Sequence, residues 1–273
     1  MIRNVLSIAG SDPSGGAGIQ ADLKAFAARG VYGMAALTAL TAQNTQGVSG
    51  VHLVPAAFVA DQIRAVFADV RVNAVKIGMI ANAEIADAVA EVLQSHRDIP
   101  IVLDPVMVAK GGANLLDPEA VDVLTRRLLP LATLLTPNLP EAAALLHLRP
   151  AENRAEMADH AQRLRALGPQ AVLVKGGHLA GPDSPDVLAT ADGLRWFEAA
   201  RVPTANTHGT GCTLSSALAA ELAKGKALPE AIGTAKAYLA AAVAEADTLD
   251  VGTGHGPVQH FHELWKLTEG HSK

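Results

Sequence analysis

The sequence predicts an α/β fold: a central, mostly parallel sheet with helices on both faces. Two observations carry that prediction. Apolar runs of strand length alternate with longer stretches of helical periodicity almost from end to end, as in chains of strand–helix–strand units. The strand-length runs are apolar throughout instead of alternating apolar with polar, which marks strands covered on both sides.

In chain order, residues 5–9 read as the first strand and residues 18–29 as the first helix, with Ile19, Leu23 and Phe26 on one face. Residues 35–40 and 74–77 are the next strands, with a helix over 56–68 between them. Residues 84–95 form an amphipathic helix whose stripe is Ile85, Val89 and Val92/Leu93. Short buried strands follow at 101–103, 131–135 and 171–175, ending at Asp104-Pro105, Thr136-Pro137-Asn138 and Gly176-Gly177. Residues 187–191 and 194–199, split by Asp192-Gly193, read as an antiparallel hairpin, because Asp-Gly is a strong tight-turn signal. Two Ala-rich helices, 210–224 and 231–246, complete the pattern. No internal repeat, low-complexity linker or composition shift divides the chain, so residues 1–273 are expected to form one domain.

Composition excludes several classes of function. With 49% hydrophobic residues and a net charge of −5, the chain can bury a core and is not disordered. There is no Lys/Arg run to neutralise phosphates, so no nucleic-acid partner is expected. A single cysteine excludes an internal disulfide framework and fits a reducing, cytoplasmic setting. No apolar stretch approaches the ~20 residues of a membrane span. The first apolar run gives way at once to Ser11-Asp12-Pro13, as a strand entering a loop does, so no signal peptide is expected.

Open α/β sheets bind ligands at the carboxyl ends of their strands, so the residues after each strand are the candidates for chemistry. Gly10-Ser11-Asp12-Pro13-Ser14-Gly15-Gly16-Ala17-Gly18 leads into the first helix; it reads as a ligand loop or as a plain tight turn. It lacks the Gly-Lys-Ser/Thr of a phosphate-binding P-loop and the register of a dinucleotide fingerprint, which disfavours a nicotinamide dehydrogenase. Asn206-Thr207-His208-Gly209-Thr210-Gly211-Cys212-Thr213 opens directly into a helix. Backbone N–H groups at Gly209, Thr210, Gly211 and Cys212, with the helix dipole behind them, would make a trap for phosphate charge. The same position is expected to favour the thiolate of Cys212. Asp104, Asn138 and Glu141 form a hard-oxygen set suited to Mg²⁺, while Asn138 with Glu141 three residues on also reads as a helix cap. His255, His260 and His262 have no partner at metal-ligand spacing and read as a solvated tail.

The segments 9–24, Ala42-Gln43-Asn44-Thr45, Lys76-Ile77-Gly78-Met79, Asp104-Pro105-Val106, Thr136-Pro137-Asn138-x-x-Glu141, Val174-Lys175-Gly176-Gly177-His178 and Thr207-His208-Gly209-Thr210-Gly211-Cys212 resemble, in this order, the hydroxymethylpyrimidine/phosphomethylpyrimidine kinases of thiamine biosynthesis. They run from about residue 5 to residue 245. The resemblance implies a ribokinase-like fold and a homodimer. It also implies two ATP-dependent phosphorylations: first of the hydroxymethyl oxygen of 4-amino-5-hydroxymethyl-2-methylpyrimidine, then of the monophosphate. It assigns Gln43 to the pyrimidine edge, where a carboxamide offers one donor and one acceptor. Gly10, Ala17, Met79 and Val106 would shape the ring slot. Gly209, Thr210 and Gly211 would form the anion hole, with Cys212 as the base. Lys175, Asn138 and Thr207 would bear on the nucleotide, and Asp104, Asn138 and Glu141 on Mg²⁺. The glycines of residues 107–115 suit a flap over the site. The nearest rival is a pyridoxine/pyridoxal kinase, whose substrate is also a hydroxymethylated heteroaromatic ring. A non-catalytic pyrimidine or nucleotide sensor would be expected to lack the anion hole, Lys175 or the hard-oxygen set.

Overall fold

The computed structural model describes residues 1–107 and 118–269. Of the expected flap, only Met107 lies within the described residues. The elements in order are β1 (Asn4–Ala9), α1 (Gly18–Ala28), β2 (Tyr32–Leu37), β3 (Ala39–Asn44), β4 (Gly47–Leu53), α2 (Ala56–Asp69), β5 (Ala74–Ile77), α3 (Ala83–Leu93), β6 (Ile101–Leu103) and α4 (Pro118–Val123). They continue with β7 (Leu134–Leu135), α5 (Leu139–Leu146), α6 (Arg154–Ala166), β8 (Ala171–Lys175), β9 (Asp186–Thr190), β10 (Gly193–Phe197), α7 (Thr210–Ala223), α8 (Leu228–Ala244) and α9 (His262–Glu269).

Eight strands form one sheet in the order β10-β9-β8-β7-β6-β5-β1-β2. The pairings from β2 across to β8 are parallel, and β9 and β10 add antiparallel at the edge. Period-two alternation divides the side chains between two cores. Leu6, Ile8, Val75, Ile77, Ile101, Leu103, Val172 and Val174 pack on one face with residues of α2, α3 and α6. Val5, Ala74, Val102, Leu134, Ala171 and Leu173 pack on the other with residues of α1, α7 and α8. A sheet buried on both faces is why its strands read as unbroken apolar runs.

Three expectations need correction. The 35–40 strand is two: β2 ends at Leu37, and β3 leaves the main sheet to pair antiparallel with β4 as a separate ribbon. Thr38 makes the break, its hydroxyl donating to the Met79 carbonyl at 2.7 Å. The 131–135 strand shrinks to Leu134–Leu135, because residues 129–131, with Pro130 inside, form a 3₁₀ turn and proline cannot donate to a ladder. His260 and His262 do not lie in a solvated tail; both are buried, together with Val258 and Gln259. The segment that carries them packs back over the loops, with His208 N–H donating to the Gly256 carbonyl and His255 N–H to that of Thr45. The Asp192-Gly193 hairpin is as expected, with Gly193 at φ +118°.

Candidate active site

At the carboxyl ends of the parallel strands lies a cavity of about 560 Å³. It brings together every candidate residue of the sequence: Gly10, Ala17, Gln43, Met79, Asp104, Val106, Asn138, Glu141, Lys175, Thr207, Gly209, Thr210, Gly211 and Cys212. The site is thus assembled from strand ends spread over most of the chain, as open α/β sheets require.

One end of the cavity is the N-terminus of α7. Gly209 caps it in the left-handed region, φ +77°, with no side-chain cap. A Cβ there would collide with the Gly16 carbonyl, so the last loop can close against the first only with glycine at this position. The first intrahelical bond is from Thr213 N–H to the Gly209 carbonyl, 2.8 Å, which leaves the N–H groups of Gly209, Gly211 and Cys212 without acceptors inside the helix. Thr210 differs from expectation: its N–H leans back onto the Thr207 carbonyl at 3.4 Å.

Cys212 sits in this turn but is not a ready thiolate. Burial pushes its thiol up to about 11, outweighing the pull of the Lys76 ammonium and a hydrogen bond from the Gly18 backbone. The expectation from helix position alone is corrected here: burial raises a thiol pKa and, at this site, wins over the helix terminus.

Beside the turn, Lys175 Nζ meets Asp104 Oδ1 at 2.8 Å, and Gly211 lies directly over the pair. Asp104 also accepts from Thr136 Oγ1 at 3.1 Å and Ser215 Oγ at 3.3 Å. Burial acts to raise its pKa, but the Lys175 and Lys76 ammonium groups outweigh that and hold the carboxyl below its ordinary value. Asn138 and Glu141 form the expected capping box: Glu141 Oε2 accepts from Asn138 N–H at 2.7 Å, and Asn138 Oδ1 from Glu141 N–H at 2.9 Å. Burial raises Glu141 to about 7; Lys175 opposes the rise and Asp104 adds to it. Among the described residues no three His, Cys, Asp or Glu side chains cluster as a protein-only metal cage. Two buried carboxylates around one ammonium nevertheless fit Mg²⁺, which is held mainly by water and phosphate oxygens with one or two carboxylates nearby.

The opposite wall is apolar. Ala39, Met79 and Ala81 cluster with Val106, and a Cβ on Gly10 would lie only 2.8 Å from the Met79 Cε. At the rim stands Gln43, half-buried, at a register shift of the β3–β4 ribbon; such irregularities re-aim a side chain. Gln43 therefore lies within an outlying ribbon rather than after a sheet strand.

Four residues were not assigned roles from sequence. His208 Nε2 lies 2.7 Å from Asp12 Oδ2 inside the cavity wall. Lys76 lines the cavity floor, although its side chain is wholly buried, and its Nζ meets both oxygens of the buried Asp22 at 2.9 Å. A lysine inside an otherwise apolar strand was the one available signal for the second pair. The first joins residues 196 positions apart and leaves no local pattern.

The family described as phosphomethylpyrimidine kinase matches residues 12–259. The hydroxymethylpyrimidine/phosphomethylpyrimidine kinase of Salmonella typhimurium is 55% identical over 262 residues, covering 96% of this chain and 98% of its own. A thiamine biosynthesis bifunctional protein of Geobacter sulfurreducens is 54% identical over 258 residues, 94% of this chain and 52% of its own. Among solved structures, an ADP complex of Bacillus subtilis pyridoxal kinase superposes with a TM-score of 0.88 at 36% identity, covering 96% of this chain and 99% of its own.

Proposed function

The chain belongs to the phosphomethylpyrimidine kinase family, and we propose that it uses ATP to phosphorylate 4-amino-5-hydroxymethyl-2-methylpyrimidine and then its monophosphate, in thiamine biosynthesis. The observation that carries this reading is one cavity with an uncapped helix N-terminus at one end and an apolar slot with a carboxamide at the other. The slot takes the ring, and Gln43 pairs with its amino group and adjacent ring nitrogen. This directs the hydroxymethyl group toward Cys212 and the N–H groups of Gly209 and Gly211. As the alcohol gives its proton to Cys212 Sγ, its oxygen bonds to phosphorus and the bond to the ADP oxygen breaks, while charge on the transferring oxygens is met by those N–H groups and by Lys175. Asn138 and Thr207 line the nucleotide side. Mg²⁺ near Asp104, Asn138 and Glu141 would neutralise phosphate charge. The relatives at 54–55% identity are named for the pyrimidine or for thiamine, against 36% for the pyridoxal kinase, which favours the pyrimidine over pyridoxal.

We further read residues 1–273 as one cytoplasmic kinase domain acting as a homodimer. Exposed Leu40, Val51, Leu53 and Phe58 on and beside the β3–β4 ribbon offer apolar surface to a second copy, with Val51 and Leu53 on one face of the ribbon and Leu40 on the other. Among the described residues no helix is long and apolar enough to cross a membrane.

Gln43→Ala is expected to weaken pyrimidine binding by roughly 1–3 kcal/mol through buried polar groups left unpaired, with ATP affinity little changed. Calorimetric titration with each ligand checks this; equal pyrimidine affinity in variant and parent would remove Gln43 from the role. Activity is also expected to require Mg²⁺ or Mn²⁺, with Zn²⁺ a poor substitute in a hard-oxygen site. Because Glu141 loses its proton near 7, the Mg²⁺ concentration for half-maximal rate should fall as pH rises through that value. The same site would then lose this pH dependence in Glu141→Gln. Full turnover in excess chelator would refute metal use.

A further inference from the structure

We infer that the Asp12–His208 and Ser11–Thr41 pairs lock the Gln43 carboxamide in one of its two orientations, Oε1 toward His208 and Nε2 toward Thr41. His208 is thereby a positioning residue for substrate selection. The inference rests on the reading of Gln43 as the group that meets the ring edge.

Two neighbours determine the orientation independently. Asp12 Oδ1 accepts from Ser14 N–H at 2.9 Å and Ser14 Oγ at 2.7 Å, and Oδ2 accepts from Ala17 N–H at 2.8 Å. Burial works to raise the Asp12 pKa, but the hydrogen bonds from His208, Ser14 and Ala17 hold it at about 2. It is therefore a carboxylate and can only accept. His208 Nε2, 2.7 Å from Oδ2, must carry the imidazole proton. The structure sets Gln43 Nε2 3.4 Å from that same nitrogen; two donors cannot face each other there, so the carboxamide belongs turned over, with Oε1 on the His208 side. On the other side, the Thr41 hydroxyl gives its hydrogen to the Ser11 carbonyl at 2.9 Å. Gln43 Oε1 as placed lies 3.3 Å from the same hydroxyl oxygen, which with its hydrogen committed to Ser11 offers lone pairs only, so turning the amide over brings Nε2 to it as a donor. An amide's oxygen and nitrogen are told apart by such partners, and here both partners agree.

What remains to face the cavity is one oxygen lone pair beside one N–H, in fixed order. A 4-aminopyrimidine presents the complementary order, its amino group donating and its ring nitrogen accepting, as adenine does to a glutamine side chain. A 4-oxo analogue presents the reverse, a carbonyl that accepts beside a ring N–H that donates. A free amide would turn over to meet either ring; a locked one cannot.

The experiment compares kcat/KM for the 4-amino alcohol and its 4-oxo analogue. The parent is expected to prefer the amino compound by about 10²-fold or more, since a polar site rejects a mismatched edge strongly. His208→Leu should lower that preference at least about tenfold by freeing the amide. His208→Gln, whose amide can donate to both Asp12 and Gln43, should restore it. A parent without preference, or a His208→Leu protein that loses activity on both compounds equally, overturns the lock while leaving Gln43 as reader. A preference that survives Gln43→Ala overturns the reading itself. Should His208→Leu fail to fold, ¹H–¹⁵N correlation of the His208 ring in the parent decides. A proton on Nε2 is expected, and an Nδ1–H tautomer overturns the proposal.

Discussion

Replacing Cys212 with alanine is expected to cut phosphorylation of the pyrimidine alcohol by about 10²–10⁴-fold and to spare phosphorylation of the monophosphate. In the first step the nucleophile is an alcohol, whose proton must leave as the phosphoryl group arrives. In the second, the nucleophile is a phosphate oxygen already carrying negative charge, so positioning and charge stabilisation suffice. The backbone N–H groups at Gly209 and Gly211 survive the substitution, which is why the loss should be selective. Burial holds the thiol near 11, and this adds a pH signature. Below that value the thiolate fraction grows about tenfold per pH unit, so the alcohol step should accelerate from neutral pH upward in the parent and lose that slope in Cys212→Ala. Cys212→Asp should recover part of the first step through its carboxylate and slow the second by placing fixed negative charge beside the incoming monophosphate. The measurement is kcat/KM for each substrate separately in all three proteins. Equal fold-losses in the two steps for Cys212→Ala would show that Cys212 is not a step-specific base.

How far the sequence reveals this molecule depends on the range over which each feature is written. Strands such as Ala171–Lys175 announce themselves because both faces are buried, and the Asn138/Glu141 cap is complete within four residues. The polar ends of the strands name the cavity lining for the same reason, since each is local. The β3–β4 ribbon is less visible: Asn44 turns it by accepting from the N–H groups of Gln46 and Gly47, but its flanks are half-exposed and short. The buried histidines at 260 and 262 read as tail because their neighbours in sequence are polar and glycine-rich. Only the fold shows that His260 Nε2 reaches Thr213 Oγ1 at 2.9 Å, where burial holds the ring neutral with a pKa of about 3. Cys212 is the most instructive case. The helix N-terminus is legible in the sequence, whereas the burial that overrides it arises only when distant segments pack together.

Lys76→Met is expected to destabilise the protein by about 3–5 kcal/mol, the usual cost of removing one partner of a buried pair. Lys76 and Asp22 are both wholly buried. The Asp22 carboxylate accepts from Lys76 Nζ through both oxygens, from Ser7 Oγ at 2.6 Å and from Ser216 Oγ at 2.7 Å. The cluster therefore ties β1, β5, α1 and α7 together on one face of the sheet. Methionine matches the length of the stem but leaves a carboxylate without its cation in a dry interior. At roughly 2–4 °C per kcal/mol for a chain of this size, the melting temperature should fall by about 6–20 °C. Because the pair is shielded from solvent, the loss should be nearly the same in low and high salt. Adding Asp22→Leu should recover more than half of the loss by removing the stranded charge, though not all of it, since the Ser7 and Ser216 hydroxyls then lack an acceptor. A Lys76→Met protein melting within about 2 °C of the parent would show that the pair does not anchor the sheet. The same substitution removes the ammonium that draws the Cys212 thiol downward, so whatever folded enzyme survives should phosphorylate the alcohol more slowly than the parent and the monophosphate at a nearly unchanged rate.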